Sequence, residues 1–297
     1  MTRTASHVPA RWSVGALHLL LLLLPAQALL ADSLRYGLDA EFVHDTNATR
    51  GPGGADSRPD TILAAEGSVT RAMLLGPHSG LVLRGAARYS QFLDFKDISN
   101  LALTGRAAWR YQGDRSFGAP WIELVGQAQS LSHADSRLRD GTSLSASMSV
   151  GSYPTDRVRV SAGAGVDKRF GDSTRLYDLG TNRLSGAFDY RAGLRNTLYA
   201  RVTRVAGDHV FNAVSPAWQG LLARYSDRVV ADPALGAGFI GYRIEATTWL
   251  YDVGYNYALP GGNALDFSLT YYSSRADPGG FKYDGAQLRA SYLYRFQ

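Results

Sequence analysis

The residues of this sequence with the clearest chemical potential are arginines that recur at even spacings. Arg84 and Arg88 are four residues apart, and Arg106 and Arg110 repeat that spacing further along the chain. A guanidinium group carries a permanent charge and paired hydrogen-bond donors, which match the oxygens of carboxylate, phosphate or sulfate. Arginines gathered on one surface would therefore bind or steer anions.

The residues between these arginines indicate that the arginines lie on β-strands. Gly105, Ala107 and Trp109 occupy the odd positions beside Arg106 and Arg110. Alternation with a period of two residues is typical of a strand with one apolar and one polar face. We therefore expect each arginine to share a face with other polar residues.

The same alternation recurs through the chain after residue 33 and predicts about twelve strands, an even number of the kind that bacterial barrels use. Compact connections such as residues 154–156 and 260–262 alternate with longer, more polar ones, of which residues 45–60 and 209–236 are the longest. The sequence thus predicts an all-β fold. We expect a transmembrane antiparallel up-and-down β-barrel with short periplasmic turns and longer extracellular loops.

In such a barrel a charged side chain that faces lipid is costly, so the polar faces must point into the lumen. The residues that we expect to line the lumen are Arg84, Arg88, Arg106, Arg110, Arg159, Arg183, Arg201, Arg289, Glu66 and Glu123. Arginines outnumber acids on these faces, and an open lumen of this kind would favour anions. Paired arginines and acids would instead fill the lumen as a structural network, and the sequence leaves both interpretations open.

Aromatic residues cluster near the predicted strand ends, as expected of rings that prefer the depth of the lipid headgroups. The predicted periplasmic set is Tyr36, Trp109, Tyr111, Trp121, Tyr153, Tyr190, Tyr257, Phe267, Tyr294 and Phe296. The predicted outer set is Phe42, Tyr89, Phe92, Phe170, Tyr271 and Phe281. Two such girdles favour a barrel that spans a membrane over a soluble β-sandwich.

The N-terminal residues predict export. Arg3 and Arg11 precede an apolar segment at residues 14–24, which ends before Pro25-Ala26-Gln27-Ala28. This order is typical of a secretory signal peptide with an A-x-A cleavage site. We expect a signal peptide at residues 1–28, a barrel at residues 29–297, and a location in the outer membrane of a Gram-negative bacterium.

The composition excludes several other classes of protein. The chain has no cysteine, so disulfides and thiolate metal sites do not stabilise it. The mature chain would carry a formal charge of only +3, because removal of Arg3 and Arg11 lowers the value from +5. No metal-ligand cluster or phosphate-binding glycine loop occurs. We therefore expect no cofactor and no nucleic-acid partner.

The C-terminal residues resemble the signal by which outer-membrane barrels are recognised for assembly. Tyr292, Tyr294 and Phe296 alternate there, although Gln297 follows the last aromatic residue. Residues 45–50, Asp-Thr-Asn-Ala-Thr-Arg, are similar to a stretch in uncharacterised proteobacterial outer-membrane barrels and in the barrel domain of surface lipoprotein assembly modifiers. The resemblance implies the outer-membrane barrel class, with the barrel-assembly machinery, outer-membrane lipid and lipopolysaccharide as partners.

Histidines near the outer strand ends raise the possibility of an enzyme that hydrolyses lipid. His44, His133 and His209 lie there, and Ser130 and Ser132 are close to His133 in sequence. A nucleophile and a base must also meet in space, which this spacing does not imply. We therefore expect no enzyme.

The function that the sequence favours is a pore for small, mainly anionic solutes with an arginine-rich lumen. The first alternative is a non-conducting barrel that acts through its outer loops as an envelope, export or surface-interaction partner. A lipid hydrolase is the second alternative.

Overall fold

The computed structural model describes residues 34–114, 118–172, 174–277 and 279–296, so the predicted signal peptide lies outside the described residues. The described residues form thirteen strands and one short α-helix. The strands are β1 (Leu34–Asp45), β2 (Asp60–Leu74), β3 (Ser79–Phe92), β4 (Asn100–Gln112), β5 (Trp121–His133), β6 (Gly141–Thr155), β7 (Val158–Phe170), β8 (Gly180–Arg191), β9 (Asn196–Ala213), β10 (Arg228–Ala231), β11 (Ile240–Ala258), β12 (Ala264–Ala276) and β13 (Lys282–Phe296). The helix α1 spans Pro216–Leu222.

Twelve of these strands close into an antiparallel barrel. Neighbours in sequence pair with each other, β9 pairs with β11, and β13 returns to pair with β1. The remaining strand, β10, is four residues long and pairs with the part of β11 that extends beyond the ring. The closed twelve-strand barrel confirms the predicted fold class, and closure pairs each strand of the ring on both sides.

The alternation of residues gives the barrel an apolar outer surface. On β6, Ser145 and Ser147 point inward and are half-buried, whereas Leu144 and Met148 point outward and are 48% and 52% exposed. Other exposed outward side chains are Leu38, Phe42, Leu63, Leu83, Tyr89, Leu124, Val166, Leu184, Phe188, Tyr251, Val253, Phe267, Leu269 and Leu288. An apolar surface that encircles a protein is stable only in lipid, so the barrel spans a membrane.

The two ends of the barrel differ in their connections. Residues 46–59, 93–99, 134–140, 171–179, 214–239 and 277–281 form the longer connections at one end. Shorter turns, such as residues 75–78 and 192–195, lie at the other end, where β1 begins and β13 ends. In bacterial barrels the long loops are extracellular and the short turns are periplasmic. No helix among the described residues has the length and apolarity that a membrane crossing requires.

Three aromatic residues predicted for the girdles lie elsewhere. Trp121 pairs with Gln112 and Gly151 on inward faces and is only 2% exposed. Phe92 pairs with the inward Ile62, and Phe281 is buried in an outer loop. The predictions for Trp121 and Phe92 were wrong because they used depth along the strand and not the face of the strand. The prediction for Phe281 was wrong because its loop folds against the buried cluster that includes Phe211.

The assignment of faces makes a prediction about stability. We expect Met148→Arg to lower the free energy of unfolding by about 2–4 kcal/mol, because it places a charge on the lipid-facing surface. Ser147→Arg introduces the same side chain one residue away, where it points into the lumen, and should change that free energy by less than about 0.5 kcal/mol. Urea titration of both variants refolded in lipid vesicles measures the difference. Equal losses would contradict the assignment.

Candidate functional site

The lumen carries the polar side chains of the barrel. The pairing register places all ten predicted lumen residues on inward faces. Their surroundings differ around the ring, so the lumen has two unlike sides.

One side carries two neighbouring groups of ion pairs on β13, β1, β2 and β3, which we call together the ion-pair wall. Its members are Arg84, Arg88, Arg289, Arg295, Asp39, Glu41 and Glu66. Arg84 contacts both Glu66 and Asp39, the latter at 3.8 Å between Nη2 and Oδ2. The ion pairs of the wall form two groups. Arg84 and Arg295 share Asp39, and Arg84 also contacts Glu66, whereas Arg88 and Arg289 share Glu41.

Within the ion-pair wall, Arg88 and Arg289 share Glu41 as their partner. Its Oε2 lies 2.6 Å from Arg88 Nη1, and its Oε1 lies 3.8 Å from Arg289 Nε. Arg289 Nε also donates a hydrogen bond to Ser268 Oγ at 3.1 Å. The whole wall contains four arginines and three carboxylates, so it carries one positive charge in excess.

The other predicted arginines lie in looser pairs around the ring. Three pairs have separations of 3.5–3.9 Å between nitrogen and oxygen, and they are Arg106–Glu123, Arg159–Asp189 and Arg183–Asp167. Arg201 lies opposite Asp252 in the register of β9 and β11. These partly exposed pairs are screened by water and contribute little to stability.

Near the periplasmic end, Trp121 lies between two arginines. The guanidinium carbon of Arg110 is 4.3 Å from the ring centroid, and that of Arg159 is 5.1 Å away. These are cation–π distances. Trp121 therefore fixes Arg110 and Arg159 at the inner surface of the barrel, and it contributes to the lumen and not to the lipid-facing girdle.

The opposite side of the lumen carries small residues, and we call it the serine wall. It consists of Ser143, Ser145, Ser147 and Ser149 on β6 with Gly163 and Gly165 on β7. These residues face inward beside one another and occupy little volume. The serine wall therefore fills less of the lumen than the long charged side chains of the ion-pair wall do. The repeat Ser-x-Ser-x-Ser-x-Ser was visible in the sequence as a polar face, but charge drew the prediction to the arginines.

A segment that we call the cap, residues 207–246, covers the outer end of the lumen. It begins where β9 and β11 extend beyond β8, and it includes α1 and β10. Gly207 lies at its base with a φ of 133°, and a Cβ there would approach the carbonyl oxygen of Gly180 to 2.2 Å. Only glycine tolerates both conditions, so this residue allows the strand pair to leave the ring.

The cap packs first against the strands beside its base. Phe211 and Ile244 form a buried cluster with Tyr272 and Tyr283, which face inward on β12 and β13. Trp218 of α1 packs against Phe281 of the loop at residues 277–281. This cluster keeps the cap folded over the lumen, so the cap does not project outward from the end of the barrel.

The cap then reaches the opposite side of the barrel. Leu235 and Phe239, both about fully buried, pack against Ile98 in the loop between β3 and β4. In the order of the ring, β3 and β4 lie opposite β9 and β11. A segment that starts at one side and is buried at the other crosses the whole opening.

Polar contacts attach the cap to the loops between these two points. Asp56, in the loop after β1, accepts hydrogen bonds from the Ser215 backbone N–H at 2.8 Å and from its hydroxyl at 2.7 Å. Arg139, in the loop after β5, forms a 2.5 Å ion pair with the fully buried Asp232. Tyr177, in the loop after β7, points its hydroxyl at the same carboxylate. Burial raises the pKa of Tyr177, so it remains a neutral donor.

The residues considered for lipid hydrolysis do not meet. Ser130 and Ser132 pair with outward residues, whereas His133 pairs with the inward Asn100. The Nδ1 atom of His133 lies 3.2 Å from Asp140 Oδ1. His44 is exposed beside Thr61, and His209 of the cap contacts Thr248 on β11, two residues outside the cap. The geometry brings no serine to a histidine base among these residues.

No group of three or more His, Cys, Asp or Glu residues is placed to hold a metal ion in the described part of the chain. Tyr292, Tyr294 and Phe296 point outward at the periplasmic end of β13, where they are exposed.

The fold is similar to that of solved outer-membrane proteins. An outer-membrane channel from Pseudomonas putida F1 aligns with a TM-score of 0.59 and 11% identity over 91% of this chain and 97% of that one. The monoaromatic hydrocarbon channel CymD has a TM-score of 0.47 and 11% identity, with 89% and 88% covered. The KdgM porin in complex with oligogalacturonate has a TM-score of 0.46 and 10% identity, with 88% and 99% covered. No family model and no curated protein matches the sequence.

Proposed function

We propose that this barrel is an outer-membrane pore for small, mainly anionic solutes. The observation that carries the proposal is the composition of the lumen, in which the charged ion-pair wall faces the small residues of the serine wall. If the inward side chains served only to fill the interior of the barrel, bulky apolar residues would stabilise it more than serine and glycine do. Small side chains at these positions instead leave room for a water-filled path along the serine wall.

The preference for anions rests on the arginines. In the ion-pair wall four guanidinium groups are opposed by three carboxylates, so one positive charge has no counterpart within the wall. Positive charge along a narrow path raises the local concentration of anions and lowers that of cations. The effect is modest for one excess charge, which predicts selectivity and not complete exclusion of cations.

The cap favours a second candidate function. Because it is buried against loops from most of the ring, it opposes passage while it is in place. A barrel that never conducts and presents its outer loops to an envelope or surface partner would also have this arrangement. The two functions differ in one observable, which is ion current.

Replacement of Arg84, Arg88, Arg106 and Arg110 by glutamine tests the pore. We expect the refolded wild-type protein to give discrete current steps in a planar bilayer, with a reversal potential that indicates anion preference. In the variant that potential should move toward zero, because the neutral amide removes the charge and retains most of the volume.

Arg204→Gln is the matched control, because Arg204 pairs with the outward residues Leu184 and Trp249. It should leave the reversal potential unchanged. An unchanged potential in the fourfold variant would remove the argument for anion selectivity. A wild-type barrel that is folded and silent in every recording would support the non-conducting alternative.

We also propose that the chain reaches the outer membrane through a cleaved signal peptide. The barrel-assembly machinery would recognise the aromatic residues at the end of β13, and lipopolysaccharide would contact the outer aromatic girdle. The outward position of Tyr292, Tyr294 and Phe296 supports this reading of the last strand, since an assembly factor could reach them before lipid does.

A further inference from the structure

A partly enclosed chamber lies in the lumen directly beneath the cap. Its volume is about 240 Å³, and side chains from β1, β2, β3, β4, β12 and β13 contribute to it. The lining residues are Glu41, Val43, Ile62, Arg88, Ser90, Phe92, Asn100, Thr270, Gln287 and Arg289. Phe92 also packs against the buried cluster of the cap, so the cap forms the outer boundary of the chamber.

The charged part of the chamber has one positive charge in excess. Arg88 and Arg289 both line it, and Glu41 is the carboxylate that they share. Arg289 directs its Nε to Ser268 and Glu41, which leaves the two terminal amino groups of its guanidinium for another acceptor. An acceptor with two oxygens and a single negative charge would complete this arrangement.

The neutral polar residues of the chamber are already engaged in ways that restrict what it accepts. Thr270 donates to Asp252 at 2.9 Å, and Gln287 donates its amide nitrogen to Asp45 at 2.8 Å. Asn100 donates to the carbonyl oxygen of Ile98 at 3.2 Å. These contacts engage the Thr270 hydroxyl and one N–H of each amide, so the charged donors of the chamber that remain available include the terminal amino groups of Arg289.

The apolar part of the chamber is a continuous row. Val43 is the register partner of Ile62, and Ile62 is the register partner of Phe92. On its other side Val43 pairs with Arg289. The apolar row therefore begins beside the guanidinium with the free donors, and a ligand that has a charged and an apolar end would contact both.

We propose that this chamber binds the anion of a small monocarboxylic acid that has an apolar body. Its carboxylate would lie between Arg88 and Arg289, and its body would lie against Val43, Ile62 and Phe92. This inference rests on the proposed function, because it names the class of solute for which the pore has a site. Phosphate and sulfate lack the apolar body and would bind less tightly.

Calorimetric titration of the full chain, refolded in detergent, tests the site with benzoate as the probe. Benzamide has the same shape without the charge, and acetate has the charge without the ring. We expect benzoate to bind at least about tenfold more tightly than either compound, because each lacks one of the two sets of contacts. Equal binding of benzoate and benzamide, or no heat with any probe, would overturn the proposal.

Two variants assign the binding to the chamber. Arg289→Gln should weaken benzoate binding by about tenfold or more, since it removes a charge-assisted contact. Ile62→Ser should weaken benzoate and leave acetate unchanged. Arg204→Gln, on the outer surface, is the control and should bind benzoate as the wild type does. A loss of binding in the control equal to that in Arg289→Gln would contradict the assignment.

The outcome is separate from that of the bilayer experiment. A barrel that conducts anions but does not distinguish benzoate from benzamide would retain the pore and remove the chamber site. A barrel that binds benzoate through Arg289 and never conducts would retain the site and remove the pore.

Discussion

Removal of the cap is expected to produce a large and steady single-channel current. Gly207 and Ala246 are register partners at its base, so residues 208–245 can be replaced by the dipeptide Asn-Gly, which favours a tight hairpin turn. The twelve-strand ring below Gly207 would keep its pairing. Because the cap crosses the whole outer opening, its removal should raise the conductance several-fold over that of the intact protein.

Two further variants define the role of the cap in planar bilayers. Leu235→Glu keeps the cap but places a charge where Leu235 is buried against Ile98, so frequent opening events are expected. Arg228→Gln changes an exposed residue of β10 and should behave as the wild type does. Equal conductance of the intact and capless proteins would mean that the cap does not cover the path. A folded capless barrel without current would contradict the proposed pore itself.

Substitution of Gly254 by valine is expected to cause a large loss of stability. The ring of Tyr199 on β9 lies across Gly254 on β11, where a Cβ atom would be 2.2 Å from the ring carbon Cζ. Beyond that position the Tyr199 hydroxyl donates to Asp266 on β12 at 2.9 Å. The side chain thus connects three strands, and Gly254 provides the space through which it passes.

We expect Gly254→Val to lower the free energy of unfolding by about 2–4 kcal/mol. Overpacking of a filled site costs about 1–3 kcal/mol, and loss of the hydrogen bond to Asp266 adds about 1 kcal/mol. Urea-induced unfolding in vesicles provides the measurement. Gly67→Val is the matched control, because no atom lies within 4 Å of a Cβ at that outward position.

A second substitution tests the cause of this loss. If the clash with the ring is responsible, Tyr199→Ala should relieve it, and the double variant should be more stable than Gly254→Val alone. If the losses in free energy of unfolding of the two single variants simply add in the double variant, the clash between the valine and the Tyr199 ring is not the cause.

Prediction from the sequence succeeded where a short-range pattern determines the structure. The face of each strand follows from alternation, and so the inward positions of Arg84, Glu66 and Arg201 could be read directly. The same rule would have placed Trp121 correctly, because it precedes the outward Ile122 and shares a face with Glu123. Assignment by depth alone gave the wrong side for that ring.

The cap could not be predicted, because its contacts join residues that are far apart in the chain. Leu235 meets Ile98, and Asp56 meets Ser215, and no periodicity relates the members of either pair. The sequence showed only that residues 209–236 form a long polar connection. The chamber could not be predicted from the sequence for the same reason, since the cap forms its outer boundary.

The reach of the cap has a consequence for the order in which the protein assembles. Cap residues from the last third of the chain are buried against loops that follow β1 and β3, near its beginning. Those loops come within reach only when β13 has paired with β1 and the ring has closed. Folding of the cap is therefore a late event, and resistance of residues 214–239 to an added protease would report completed closure in a population of nascent barrels.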